Sequence, residues 1–334
     1  MSEDKPFFIV QNEGFSSSRP EDELLHPERN ARVSADSLTE TQYFGFNIPE
    51  QRIQGFAYMY HHANLHVVTG GVLAWRGHTR SVVHGELSDI RTFMSDAALK
   101  NDLHEYRLDN GYGVKVVEPL QRHHLTYADP ARGNSLDLHY QALCPPVMFG
   151  DGNHFEQPMK VHGELWLRGT RYAVDCYTVR DRSWAKPRPE DNLALPPNSW
   201  TVGVFNDNFA FSCNIFDQVA TTPQLATTPW AIPHEKSLNG GWLYRDGKLG
   251  RFLRGNKRII RDPQSRIPQY LEFDAIDEFE RTIHVRGTAI ASTGWQPWSN
   301  IFMPIVLMRW ECEGLTAYGD CQEGIWNDFL NLPG

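Results

Sequence analysis

Apolar and polar residues alternate in short runs along most of this chain, and Gly, Asn, Asp or Pro closes most of the runs. Residues 56–60, 114–117, 160–167 and 172–179 carry the two-residue period of strands with one buried face. The same texture returns after residue 199, at 200–205, 208–215, 241–245, 282–291 and 305–311. Helical spacing is confined to residues 20–25 and, more weakly, 88–94. Many short strands at fairly regular spacing predict an all-β fold of antiparallel barrels or sandwiches with few short helices.

The pattern is interrupted once by a charged, proline-rich stretch at residues 185–192, followed by Leu195-Pro196-Pro197-Asn198. That places a boundary near residue 188 and predicts three parts: an N-terminal arm at 1–40, a first β domain at 41–188 and a second at 189–334. The two β-rich parts have similar texture, which permits a distant duplication. Gly70-Gly71 and Gly240-Gly241 read as turns or bulges.

Composition narrows the function classes. A net charge of −9 over 334 residues argues against nucleic acid and anionic membrane surfaces. No apolar run approaches the length of a membrane span, and the first residues lack the pattern of a signal peptide. Five scattered cysteines without a CxxC spacing predict reduced thiols and a cytoplasmic protein. Ten Trp, twelve Tyr and eighteen Phe can line an apolar cavity as well as fill a core.

The densest chemistry lies in residues 154–184. Two strands are predicted around a turn at Arg168-Gly169-Thr170-Arg171. Centred there, the hairpin pairs Pro158 with Asp181, Glu156 with Ser183 and His162 with Tyr177. Alternation then puts His154, Glu156 and His162 on one face with Tyr177, Asp181 and Ser183. Asp181 has two opposed readings: desolvation raises its pKa and makes it a proton donor, whereas Arg180 and Arg182 hold it ionised. Metal chemistry is less well supported. His61 and His62 are adjacent and point apart on a strand, His62 and His66 could share a face, and His123-His124 has the same adjacency problem. A centre would have to be assembled from distant strands, for instance His62, His124 and His154, so no metal or cofactor is expected. No GxGxxG, P-loop or GxSxG is present.

The run Val179-Arg180-Asp181-Arg182-Ser183-Trp184 resembles the (G/R)-x-D-(H/R)-x-W strand end of the lipocalin-like superfamily that includes carotenoid 1,2-hydratase, kievitone hydratase and lipocalin-like Diels–Alderases. His154-Phe155-Glu156-Gln157 is similar to the HxEQ element of bacterial members, as are residues 55–71 and the terminal Tyr318-Gly319-Asp320-Cys321-Gln322-Glu323. Ala185 and Arg182 stand where Gly and His are usual. The resemblance implies two lipocalin-like barrels side by side with a large apolar pocket. It makes Asp181 the candidate proton donor, with Tyr177 or His154 orienting it or activating water and Glu156 orienting His154. Trp184, Trp166, Arg180, His162, Ser183 and Trp242 are the candidate substrate-binding residues. The expected activity is a cofactor-independent lyase or isomerase of hydratase or dehydratase type on a hydrophobic terpenoid or aromatic molecule. A non-catalytic carrier or sensor, and a pericyclase, are the alternatives. A homodimer is compatible with the sequence.

Overall fold

The computed structural model describes residues 15–149, 152–188 and 195–331. These form two compact units, residues 15–76 with 82–188 and residues 77–81 with 195–331. The predicted all-β class is observed. Residues 1–14 of the predicted N-terminal arm, and positions 189–192 of the predicted linker, lie outside the described residues.

The first unit is one curled antiparallel sheet. Its strands are β1 (Phe15–Ser16), β2 (Leu38–Ile48), β3 (Ile53–His62), β4 (Val67–Arg76), β5 (Leu87–Ser95), β6 (Glu105–Arg107), β7 (Gly113–Glu118), β8 (Arg122–Asp129), β9 (Asn134–Ala142), β10 (Val147–Phe149), β11 (His154–Leu167) and β12 (Thr170–Pro187). The order is β5-β4-β3-β2-β12-β11-β9-β8-β7-β6, with β10 pairing the start of β11 and β1 pairing β10. The last strand therefore zips against the second, and this long-range closure brings β12 between β11 and β2. One face carries the core: Phe44, Phe46, Met59, Val72, Leu138, Tyr140, Val161 and Leu165 are all essentially buried. Burying each such side chain contributes about 1.5–3 kcal/mol.

The second unit is a closed eight-stranded meander: β13 (Asn198–Asn206), β14 (Phe209–Phe216), β15 (Leu238–Arg245), β16 (Lys248–Arg261), β17 (Pro268–Asp277), β18 (Thr282–Trp298), β19 (Ile301–Cys312) and β20 (Leu315–Trp326), with β20 returning to β13. Closure leaves no free sheet edge. Phe211, Phe273, Val285, Met308 and Trp310 fill it. His78 adds a parallel bridge to Ser292.

Four local expectations are revised. The β11–β12 hairpin pairs residues summing to 337, so Glu156 faces Asp181, His154 faces Ser183, Lys160 faces Tyr177 and His162 faces Asp175. The turn is the two-residue Arg168-Gly169, both at positive φ (50° and 82°), which is the type I′ geometry whose twist suits a tight hairpin. A shift of two preserves parity, so the predicted sharing of a face stands while every predicted partner changes. Residues 88–94 are not helical but edge strand β5, paired to β4; cross-strand pairing outweighs the local helical spacing. Residues 185–187 continue β12 rather than begin a linker, after a bulge between Ser183 and Lys186. Residues 20–25 yield only the 3-10 turn Pro20–Glu23.

Candidate functional site: an acid–base cluster on one face of the β11–β12 hairpin

Strand alternation splits each sequence motif between two faces. Along β11, His154 and Glu156 point one way and Phe155 and Gln157 the other; along β12, Asp181 and Ser183 oppose Arg180, Arg182 and Trp184.

The core-side half is an internal tie. Arg180 donates from Nη1 to Glu23 Oε1 (2.8 Å) and from Nε and Nη2 to Gln157 Oε1 (2.9 and 2.7 Å). Gln157 in turn donates to the Leu120 and Cys144 carbonyls. Arg182 pairs with Glu40 (3.1 Å) and donates to the Glu23 carbonyl, while His123 bonds the Glu23 carboxylate. Trp184 stacks on His26 with centroids 4.0 Å apart. These groups are buried, and against their desolvation Arg180 with His123 holds the Glu23 carboxyl, and the hydrogen bond from His26 with Arg182 holds that of Glu40, below the usual range. Arg180, Arg182 and Trp184 thus bind residues 22–40 of the chain itself. The two arginine neighbours of Asp181 are thereby paired on the opposite face, and of the two Arg180 retains a weak lowering influence on it.

The other face carries the acid–base groups. Glu156, fully buried, is the direct cross-strand partner of Asp181. Asp181 keeps partial contact with solvent yet is enclosed enough that burial pushes its carboxyl up to about 6. His154 opposes that shift, Glu156 reinforces it, and Arg188 and Arg180 oppose it more weakly. His154 Nδ1 lies 2.9 Å from Ser183 Oγ, and its Nε2 lies 3.6 Å from Glu156 Oε1. His154 is thus within hydrogen-bond distance of Ser183 and at ion-pair distance from Glu156, with Asp181 on the same face.

Strand β2 completes this face with residues the motifs did not reveal. Tyr43 is the cross-strand partner of Asp181 and of Tyr58. The Tyr58 and Tyr60 rings lie 4.2 Å apart, and burial pushes the Tyr58 hydroxyl up to about 12 and that of Tyr60 upward as well. Both remain neutral donors near pH 7. Arg188, buried, donates to Thr39 Oγ1 (2.7 Å) and sits 5.7 Å from the Tyr60 ring centroid. The arrangement can move a proton at Asp181 or His154, and it can offer phenol and guanidinium donors to a polarised oxygen.

Other candidates lie elsewhere. Tyr177 is four residues from Asp181 on the same face, about 13 Å along the strand, under the Lys160 ammonium. His162 is exposed and stacks on His139, and Trp166, 38% exposed, lies near the hairpin turn. Trp242 is fully buried in the closed barrel. Among the histidines, His61 and His66, not His62 and His66, converge, both on Asp96 (3.5 and 3.2 Å), because the turn at Ala63–Leu65 puts His66 at φ 54°. His61 and Asp96 border a cavity of about 300 Å³ with Leu25, Leu99, Lys100 and Asp102. His62, His124 and His154 do not form a group; among the described residues the convergent donor set is His124, Asp137 and His139. All five cysteines are free thiols.

The chain thus combines a curled open antiparallel sheet, which carries the acid–base cluster, with a closed eight-stranded antiparallel barrel. The chain belongs to the family described as Domain of unknown function (DUF7064), whose model matches residues 19–328. No curated protein sequence matches it. Among solved structures it is similar to AttH-like NE1406 of Nitrosomonas europaea, with a TM-score of 0.62 at 13% identity, covering 94% of this chain and 97% of that one. It is similar also to kievitone hydratase of Nectria haematococca, with a TM-score of 0.51 at 10% identity, covering 97% and 99%. CghA gives a TM-score of 0.52 at 11% identity, covering 95% of each chain. At these identities the likeness is one of fold. No helix among the described residues is long and apolar enough to cross a membrane.

Proposed function

We propose that this protein is a cofactor-independent acid–base enzyme of hydratase or dehydratase type, acting on a hydrophobic terpenoid or aromatic small molecule. The observation that carries the reading is the pairing of Asp181 with Glu156, with Asp181 pushed up to about 6 and His154 beside both. A carboxyl titrating near the working pH can both deliver and recover a proton. In the hydration direction Asp181 protonates one alkene carbon, leaving a cation on its neighbour. Water adds to that carbon and gives its proton to His154, which Glu156 and Ser183 orient. Return of that proton to Asp181 through Glu156 closes the cycle, so the net change is addition of one water. Tyr43, Tyr58 and Tyr60 on the same face suit the cationic stage, since a cation over an aromatic face gains on the order of 1–2 kcal/mol. The shared fold of kievitone hydratase is consistent with the reading.

The test is incubation with a panel of terpenoid and prenylated aromatic alkenes in deuterated water, read by mass spectrometry. Wild type is expected to incorporate deuterium at carbon and to add water, and Asp181→Asn to do neither. Product formation unchanged in Asp181→Asn would refute proton transfer and point to pericyclic chemistry. Bound but unaltered ligand would point to a carrier.

A further inference from the structure

The same sheet face carries, about 20 Å along β11 from Glu156, a second constellation that the acid–base reading leaves unused. His124 on β8 is the direct cross-strand partner of His139 on β9, and His139 is in turn the partner of His162 on β11. The three imidazoles form a row. The rings of His124 and His139 are parallel within 2° at 4.4 Å, and His162 stacks on the far side of His139 at 5.3 Å. Asp137 lies two residues from His139 on the same face, and its Oδ1 receives both ring tips: His124 Nε2 at 2.8 Å and His139 Nε2 at 3.5 Å. The donor atoms of the three residues all lie within 4.8 Å of one another.

We propose that His124, Asp137 and His139 form a binding site for a divalent transition-metal ion of the zinc class. Zinc bonds of 2.0–2.1 Å at tetrahedral angles hold neighbouring donors about 3.3 Å apart, close to the two separations seen here. Two imidazoles and one carboxylate match borderline ions such as Zn(II), Ni(II) and Cu(II) better than Ca(II) or Mg(II), which favour oxygen donors. The supports are rigid. All three residues sit in paired strands, and at Gly163 (φ 148°) β11 presses against β9 so closely that a Cβ would stand 2.1 Å from the Asp137 carbonyl oxygen. His124 is only partly buried and the other two are exposed, so the ion would exchange with solvent and keep an open coordination position.

The experiment is calorimetric titration of the chelator-stripped full chain with Zn(II), paralleled by Co(II) absorption spectra. The expected result is one equivalent bound, with visible Co(II) bands of nitrogen–oxygen ligation and no thiolate charge-transfer band. Affinity should fall at least tenfold in His139→Ala and in Asp137→Asn. It should be unchanged in His66→Ala, which removes the other histidine–aspartate pair, and circular dichroism verifies that each variant is folded. Absence of saturable binding up to about 100 μM Zn(II), a thiolate band, or an affinity insensitive to His139→Ala overturns the site.

Discussion

Glu156 and Asp181 are direct cross-strand partners on adjacent antiparallel strands, both side chains on the face away from the hydrophobic core. Two carboxyl groups so placed resist simultaneous ionisation, and that repulsion adds to the burial that raises Asp181. The sequence of β12 permits this because Arg180 and Arg182, which would otherwise neutralise Asp181, turn to the opposite face and pair with Glu23 and Glu40.

Stability separates a functional Asp181 from a structural one. Its folded pKa of about 6 lies above the ordinary value of 3.8, so the folded state favours the protonated form. Asp181 therefore destabilises the fold progressively as pH rises from about 4 to about 6, and the cost persists above that. Asp181→Asn is expected to raise Tm at pH 8 and to change it little at pH 4. A lower Tm for the variant at pH 8 would show that the carboxylate is a stabilising ion-pair partner.

Glu156→Gln removes the group that reinforces the upward shift of Asp181. The carboxyl of Asp181 should then titrate at lower pH, leaving less of the protonated form at pH 7. The expected outcome is a pH–rate profile whose Asp181 limb moves to lower pH, with reduced kcat at pH 7. Carbon-13 NMR of labelled aspartate follows the same shift without a substrate, and an unmoved Asp181 titration would exclude electrostatic coupling of the pair.

Glu23 answers a different question, whether the buried tie is energetically necessary. It is fully buried between Arg180 and His123, and its pKa is held below the unfolded value of 4.5. A depressed carboxyl stabilises the fold above the unfolded pKa and loses that contribution as pH falls through the folded one. Glu23→Gln leaves the Arg180 charge buried with a neutral partner, and losses of about 3–5 kcal/mol are typical of breaking a buried pair from one side. Urea unfolding at pH 7 should show that loss, and the variant's stability should depend less on pH below 4.5 than wild type's. A loss below about 1 kcal/mol would mean that residues 22–40 are held by apolar packing instead.

How much of this was legible in sequence follows from the range of each interaction. Alternation is local, so the sharing of one face by His154, Glu156, Asp181 and Ser183 could be read from spacing. Register is set by the turn, and there Arg168 misled, because a non-glycine residue at φ 50° occupies a position that usually takes Asn, Asp or Gly. Centring the turn one residue late moved every partner by two. Tyr58, Tyr60 and Arg188 could not be read as site residues at all. They join Asp181 only because β12 pairs with β2, a contact far apart in sequence. His124, Asp137 and His139 are close in sequence, but the β8–β9 hairpin that holds them reads as an ordinary one until the three ring and carboxylate tips are placed together.

The turn itself offers a test of why the register is what it is. Gly169 has φ 82° and no atom within 4 Å of where a Cβ would stand, so Gly169→Ala meets no clash and changes only the backbone preference. Its amide bond to the Gly133 carbonyl and the bond from Arg168 N to Asn134 Oδ1 are made by backbone donors that the substitution keeps. The left-handed conformation costs an L-residue about 1–2 kcal/mol, so the variant should lose that much in urea unfolding at pH 7. If the pairing of Glu156 with Asp181 depended on this turn alone, the strained hairpin could slip toward the register centred one residue later. The long pairing of β12 with β2 and of β11 with β9 opposes any slip, since either strand would have to break register with its outer neighbour as well. Gly169→Ala is therefore expected to be less stable but to retain the wild-type Asp181 titration. A displaced Asp181 titration in the folded variant would show that the two-residue turn, and not the neighbouring strands, sets the geometry of the site.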